Sequence, residues 1–349
     1  MLAHSALANL WSNMTACRLT HIVETSDWAI KAVGTSVVGS LNVQDLVRSR
    51  ISYTPIGLRN QIIHFDSVHT FFTKTDWHFT HPSNRAILTW FHVIDGDPRL
   101  ERLVSVQEEV AVIHTSCEST KRTLVTAGID EKKIVVIPLG VDTRLFTPAT
   151  PDQKREARQR LGIAPDRLVI GSFQKDGVGW GEGLEPKLIK GPDILVQTIT
   201  RLKQFNPFIL LTGPARGYVK RRLDELDIDY IHTYLQETNE LPAMYHALDL
   251  YLIPSRLEGG PKSLLEAWAS GVPVVSTRVG MVSDIAEHEQ TALLVDVEDV
   301  NMLAKQSLRL INDNALQTRL TNQALQIVER YSWNNIARQY FDELYRPLL

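Results

Sequence analysis

Two carboxylates, Glu258 and Glu266, stand with seven residues between them in the segment Glu258-Gly-Gly-Pro-Lys-Ser-Leu-Leu-Glu266. An apolar strand pattern, Leu248 to Pro254, precedes the turn made by Gly259 and Gly260. A helical pattern through Ala267-Trp-Ala-Ser-Gly271 comes next, and then a second buried strand, Val272 to Thr277. A strand, a glycine turn and a helix start make an anion site, because first-turn N–H groups lack helical partners and the helix dipole favours negative charge there. Pro261 suits the first helical position, where its missing N–H costs nothing. Lys262 adds a cation and Ser263 a hydroxyl, with Leu264 completing the turn. Glu266 falls one to two turns further on, placed to accept hydrogen bonds from sugar hydroxyls. Glu258 precedes the turn and need not share a helix face with Glu266.

These groups need a scaffold, and the chain alternates strand and helix patterns to supply one. Leu19–Val23, 61–65, 87–91, 110–114 and 134–138 read as strands in the first half, with helices at 28–41 (broken by Gly34), 100–110 and 118–127. The segment 147–164 reads as a connector whose charged middle, 153–161, is helical. The second half offers strands at 168–173, 208–211 and 230–232, and helices at 192–203, to about 226, and at 241–248. Such alternation means parallel sheets covered on both faces, which bind ligands beyond the carboxyl ends of their strands. The fold class expected is therefore α/β.

Four segments in one order carry a family resemblance: VIPLGVDTRLFTP (136–148), LLTGPARGYVKRRL (210–223), PSRLEGGPKSLLEAWASGVPVVST (254–277) and GMVSDIAEHEQTALLVDVEDVNMLA (280–304). Together they resemble the retaining glycosyltransferases of family 4, continuously from about Val110 to the C-terminus and weakly before it. The resemblance implies the GT-B architecture, two Rossmann-like domains facing across a cleft. It places an acceptor-side domain at 1–150, joined by a final helix at about 333–349 that crosses back to it with Ser332 as N-cap. A nucleotide-sugar domain is expected at 165–332. It implies a nucleotide-diphospho-sugar donor, no cofactor and no metal, Glu258 near the donor sugar, and Glu266 on the ribose of the nucleotide. No residue stands out as a covalent nucleophile, so the family's front-face mechanism through an oxocarbenium-like state is the working model.

The chain departs from the family in two places. The family connects the first strand of its second domain briefly from an arginine to a Lys-Gly pair. Here Lys190-Gly191 matches the pair, but the arginine is absent and Lys175 is the nearest cation at the strand end. Lysine binds phosphate as a point charge, without arginine's bidentate fork. Between the two lysines lies Asp176-Gly-Val-Gly-Trp-Gly-Glu-Gly183. It lacks the helix that a dinucleotide fingerprint must enter, and reads either as a flexible surface loop or as a flap over the diphosphate. As a sugar–phosphate bond breaks, charge grows on the leaving diphosphate, and Lys175, Lys190 and the helix start would stabilise it. The second departure comes after the first strand, where Glu24-Thr-Ser-Asp27-Trp28 replaces the family's glycine-rich loop. Trp28 reads as core rather than as a stacking platform.

In the first half, His92 ends an apolar strand and is the catalytic candidate there, since the family often has a histidine at a comparable place. His64 is a weaker candidate of the same kind. His69, His78 and His81 receive no role. Asp95-Gly-Asp97 reads as a solvated turn and not as a metal site. Arg216 reads as a solvated cation at a helix start.

Composition bounds the rest. The 349 residues exceed a single core, and 44% apolar with 22% charged residues fit a globular protein. A net charge of −3 argues against a nucleic-acid partner. Cys17 and Cys117 are too few for a disulfide framework, so a reducing, cytoplasmic setting is expected, with peripheral attachment to the inner membrane face left open. No basic-then-apolar leader is evident, and residues 1–13 read as an appendage or start-site artefact ahead of Met14. The expected activity is metal-independent sugar transfer with retention to a hydroxyl on a glycan, a lipid-linked acceptor or a small molecule. The alternatives are a sugar-nucleotide epimerase or hydrolase on the same fold, and a catalytically silent module that only binds nucleotide-sugar.

Overall fold

The computed structural model describes residues 1–12, 17–25, 29–94, 96–235 and 238–349. The expectations for Met14, Asp27, Trp28 and Asp95 lie outside them. The chain divides into two units. One comprises Met1–Gly140 with Arg330–Leu349, and the other Val141–Glu329. The division falls after Gly140, where the sequence reading runs the first domain to 150.

The first unit holds six parallel strands: β1 (Leu19–Ile22), β2 (Ser49–Ser52), β3 (Ile62–Phe65), β4 (Arg85–Thr89), β5 (Val112–Thr115) and β6 (Ile134–Val136), ordered β2-β1-β3-β4-β5-β6. The central strands β1 and β3 are buried along their whole length, as both-face coverage requires. β2, sequence Ser-Arg-Ile-Ser, carries no apolar run because it is an edge strand, and the sequence patterning did not reveal it. The helix Ala29–Val43 runs unbroken through Gly34, against expectation. A Cβ at Gly34 would lie 1.7 Å from Asp66 Oδ2, so the glycine serves a close approach rather than a break. Residues 1–13 are not a loose appendage where described: Leu2–Ser12 is helical, and buried Asn9 donates to the carbonyls of Thr54 at 2.9 Å and Ile56 at 2.8 Å.

The C-terminal helix Trp333–Gln339, with Ser332 at the N-cap position but making no side-chain cap bond, continues as a π-helical turn over Tyr340–Tyr345. Ile336, Ala337, Tyr340, Leu344 and Tyr345 join Leu19, Val37, Leu41, Ile62 and Ile87 in one buried cluster of the first unit.

The second unit repeats the plan with β7 (Val169–Phe173), β8 (Phe208–Thr212), β9 (Tyr230–Thr233), β10 (Leu250–Ile253), β11 (Val274–Thr277) and β12 (Leu293–Val295), ordered β12-β11-β10-β7-β8-β9 and all parallel. Its core joins strand residues such as Ile170, Leu211, Leu252 and Val275 to the apolar faces of the helices Pro192–Leu202, Gly217–Glu225, Val300–Asn312 and Asn314–Val328. The charged connector is part of this unit. Pro151–Arg160 is a helix with a Thr150/Gln153 capping box, and its buried Arg158 is bonded to Asp249 and the Ala247 carbonyl.

In each sheet the chain first builds to one side of the opening strand and then crosses to the other. The crossing point lies between β1 and β3 in the first unit and between β7 and β10 in the second. Ligand sites of open parallel sheets lie just beyond the strand ends at such a point. No helix among the described residues is long and apolar enough to cross a membrane.

Candidate functional site

Beyond the ends of β7 and β10, the second unit brings together most of the residues singled out from the sequence. Lys190 Nζ lies 2.6 Å from Glu258 Oε2, and Ser255 Oγ donates to Glu258 Oε1 at 2.9 Å. Three features build this pair. Gly191 adopts φ 63°, and a Cβ there would lie 2.0 Å from the Pro254 carbonyl oxygen, so only glycine lets the Lys190 turn pass so close to the end of β10. The backbone N–H groups of Arg256 and Leu257 both donate to the Ile189 carbonyl, at 2.8 and 3.0 Å. Arg256 grips Asp193 through two bonds of 2.7 Å, and these bonds, with those to Glu298, hold its guanidinium even more basic than usual.

Positive charge collects around this pair. Burial lowers the Lys187 ammonium, the neighbouring charges of Lys190 and Lys175 lower it further, and Glu258 opposes them. Burial also lowers Lys175, whose Nζ sits 4.0 Å from the centre of the Trp180 ring. Among the described residues only Lys190 of these three lysines is ion-paired. A cluster of mutually repelling cations with one carboxylate in its midst suits a polyanion. Lys187, which the sequence offers beside Lys262 only as a substitute for Lys175 in the arginine's place, sits in this cluster. Its signal was a second lysine three residues before Lys190.

The helix beyond the glycine turn spans Lys262–Ala269, with Pro261 as N-cap at φ −70°, ψ 97°. Pro261 therefore lies one place earlier than expected, outside the helix. Its carbonyl accepts the Leu264 N–H at 3.0 Å, and the Leu264 side chain is buried in the core. Gly259 is buried and its carbonyl accepts the Met281 N–H at 2.8 Å, which seats the turn, while Gly260 is half-buried. On the helix, Glu266 accepts from the Tyr245 hydroxyl at 2.9 Å and lies 3.6 Å from Lys262 Nζ. Ser263 bonds the hydroxyl of Tyr251, whose phenol burial pushes up to about 12. Tyr245 and Tyr251, with ring centres 5.5 Å apart, form an aromatic floor beside Glu266 that no motif announced.

The glycine-rich loop is anchored, which corrects the reading of it as flexible. Fully buried Asp176 pairs with fully buried Arg216 at 3.0 Å. The carbonyls of Glu182 and Gly183 accept the N–H groups of Gly217 and Tyr218 at 2.7 and 2.9 Å, so this loop occupies the start of the helix Gly217–Glu225. Arg216 is accordingly a core cation bonded to the carbonyls of Ser172, Gln174 and Thr212, and not a solvated one. Loop residues Trp180–Glu182 line a pocket of about 310 Å³ with Lys220, His232 and Tyr234.

His92 belongs to the first unit, three residues past the end of β4, and its carbonyl accepts the Trp90 indole N–H at 2.9 Å. His64 is not a site residue. It is buried and bonded to Thr89 at 2.7 Å and Tyr345 at 2.8 Å. Asp97 is the N-cap of the helix Pro98–Val106 and is paired with Arg99.

Two parallel six-stranded α/β units, with the charged residues of the second gathered where its sheet reverses order, define the GT-B class. The chain aligns with the structure of Anabaena HepE in complex with UDP-glucose at a TM-score of 0.74 and 16% identity, over 94% of this chain and 99% of that one. With sucrose-phosphate synthase from Thermosynechococcus elongatus the TM-score is 0.67 at 18% identity, over 98% and 91%. Residues 184–326 match the model of the family described as glycosyl transferases group 1. A D-inositol 3-phosphate glycosyltransferase of Corynebacterium urealyticum is 30% identical over 289 residues, 76% of this chain and 65% of its own. The lipopolysaccharide core biosynthesis mannosyltransferase LpsB of Rhizobium meliloti is 30% identical over 199 residues, 54% of this chain and 53% of its own. Residues 184–326 thus carry the match to the group 1 glycosyltransferase family, and the chain spans less than two thirds of the length of these relatives.

Proposed function

We propose that the chain transfers a sugar from a nucleoside-diphospho-sugar to a hydroxyl acceptor, with retention of configuration as in family 4. The observation that carries this reading is the cluster of Lys175, Lys187 and Lys190 around Glu258 at the β7/β10 crossing. As the sugar–phosphate bond breaks, these ammonium groups and the start of the Lys262–Ala269 helix take up the charge growing on the diphosphate. That assignment leaves no step for a metal or cofactor. Glu266, on the aromatic floor, takes the ribose hydroxyls. Relatives named for inositol phosphate and for lipopolysaccharide core favour a polyol or glycan acceptor, and the HepE complex favours UDP as the nucleotide. We assign the acceptor side to the first unit, with His92 as the candidate there.

Glu258 supports two readings, because its carboxylate is engaged by Lys190 and Ser255. In one it faces the sugar and stabilises developing positive charge. In the other it orients Lys190 toward the phosphate. The test of the whole proposal is a thermal-shift panel of UDP-, GDP- and ADP-sugars, followed by product detection with inositol phosphates and glycans. A donor at 100 times its dissociation constant adds about 2.7 kcal/mol, which a melting curve resolves. Stabilisation by one nucleotide class, lost in Lys190→Ala, supports it. A panel in which no nucleotide-sugar raises Tm sinks it.

A further inference from the structure

The crossing point of the first unit is filled by a hydrogen-bonded row of buried side chains: Asp66, His21, Tyr345, His64, Thr89 and His114. All are almost wholly buried. Their protons can be counted from one fixed end.

His114 Nε2 lies 3.0 Å from the Ile137 carbonyl oxygen, which only accepts, so Nε2 carries a proton. Burial lowers the His114 imidazole to about 4, so at neutral pH it is neutral and Nδ1 is a lone pair. Thr89 Oγ1, 2.9 Å away, must donate to it. The Tyr340 hydroxyl reaches the same nitrogen only at 3.4 Å. Thr89 has one proton, now used, so His64 Nε2 at 2.7 Å is the donor to Thr89. His64 is held neutral by burial, with the charges of His21 and His114 acting in the same sense. Its Nδ1 therefore accepts from the Tyr345 hydroxyl at 2.8 Å. Tyr345, kept protonated by burial, has spent its proton, so His21 Nε2 donates to its oxygen at 3.1 Å. One contact remains, His21 Nδ1 to Asp66 Oδ1 at 2.7 Å. With Nε2 already protonated, this contact needs one further proton, whether it resides on the ring or on the carboxyl.

We propose that the His21–Asp66 pair retains one proton as a net-neutral unit through neutral pH, and that this proton latches the C-terminal segment, through Tyr345, onto the sheet of the first unit. Once the proton leaves, a carboxylate is stranded in the core. Its Oδ2 has no hydrogen-bond partner among the described residues and abuts Gly34 of the Ala29–Val43 helix. The other titratable groups facing the pair do not compensate it. Glu24, from the segment after β1, adds negative charge. His64 and His114, from β3 and β5, are neutral, and so are Tyr340 and Tyr345. Burial accordingly raises the Asp66 carboxyl. A group raised on folding adds stability below its unfolded pKa and loses it as pH rises through the folded one, so the latch opens on the alkaline side.

The test is hydrogen exchange of the amides of residues 340–349 in the full chain from pH 6 to 10, corrected for intrinsic exchange, with metal content measured on the same preparation. Protection should fall by about tenfold per pH unit above the ordinary imidazole value of about 6.5, for as long as the closed pair keeps the proton that the opened chain has lost, the slope of one proton. In Asp66→Asn the amide N–H donates to His21 Nδ1 in place of the proton, so the latch should stay closed and the slope should vanish. Tyr345→Phe should lower protection at every pH. A flat profile in the parent, an unchanged slope in Asp66→Asn, or a stoichiometric metal bound by His21, His64 and Asp66 would each overturn the proposal.

Discussion

The two sheets share a plan, yet their crossing points hold opposite chemistry. Between β7 and β10 the side chains are cationic, repel one another and reach solvent in part, with Lys175, Lys187 and Lys190 all half-buried. Between β1 and β3 the side chains are neutral or neutral in pairs, bonded to one another in a row that leaves only Asp66 Oδ2 over, and sealed by Tyr340 and Tyr345. Strand order opens a crevice at both places. The segment packed beyond the strand ends decides how each crevice is used. In the second unit a glycine turn and a helix start come after β10, and of the three lysines beside them only Lys190 has an anionic partner among the described residues. In the first unit the C-terminal segment fills the crevice with hydroxyls matched to imidazoles. A site for a charged ligand shows itself by electrostatic imbalance, and a structural core by its absence.

The comparison breaks most visibly if the lysine cluster is dispensable. Lys190→Ala should cut turnover by about ten- to a hundredfold, the worth of one charge-assisted bond made as the diphosphate leaves. Steady-state assays with the cognate donor would measure it, and near-parent activity would move the phosphate site elsewhere. Lys187→Ala should cost about tenfold. Lys175→Ala should cost less, because its ammonium is already committed to the Trp180 ring. Should Lys175→Ala prove the more damaging, Lys175 rather than Lys187 stands in the place of the family arginine.

The two glutamates sharpen the contrast within the charged site. Glu258→Gln should lower kcat by about tenfold with little change in donor KM, under either reading of its role. Glu266→Gln should raise donor KM by several-fold and leave kcat nearly intact, since its contacts exist in ground and transition states alike. Identical kinetic signatures in the two variants would show that they do not act at distinct parts of the donor.

The smallest effects concern the sealed crevice and are changes in stability. Tyr345→Phe leaves His64 and His21 short of a partner and should cost about 1–3 kcal/mol in urea unfolding. On the acid side, His64 and His114 are depressed on folding, so their contribution is lost as pH falls below the ordinary imidazole value of about 6.5. Each adds about 1.4 kcal/mol per pH unit to the slope while it titrates only in the unfolded chain. Urea midpoints at pH 7, 6 and 5 should decline, and His114→Gln should remove one proton from that slope. A midpoint constant over this range would mean that these imidazoles are not buried neutral.

The second sheet was legible because its strands are apolar runs and its turn chemistry is local. Glu258, Gly259, Gly260 and Lys262 lie within five consecutive residues, and Lys190 is marked by the glycine next to it. The first sheet was less so. Edge strand β2 carries no apolar signal, and Gly34 was read by its propensity when its reason is the carboxylate of Asp66. His64 resembled a site residue because strand-end histidines of both kinds look alike in sequence. The difference between them is a tyrosine 281 positions away. Arg216 and Asp176 misled in the same way, since a charge pair buried by a returning loop has no local signature. Residues that depend on long-range partners were the ones misjudged.

The placement of Arg330–Leu349 in the first unit bears on how the chain comes to be folded during synthesis. The second unit is a continuous stretch, Val141–Glu329, and gains all its core residues in one pass. The first unit emerges earlier but lacks Ile336, Tyr340, Leu344 and Tyr345 until the chain has been made past the whole second unit. Until then Leu19, Ile62 and Ile87 face water, and His21 of β1 and His64 of β3 lack the Tyr345 hydroxyl that joins them. The half made first is therefore the half finished last, and it is there that a nascent chain offers chaperones an apolar surface.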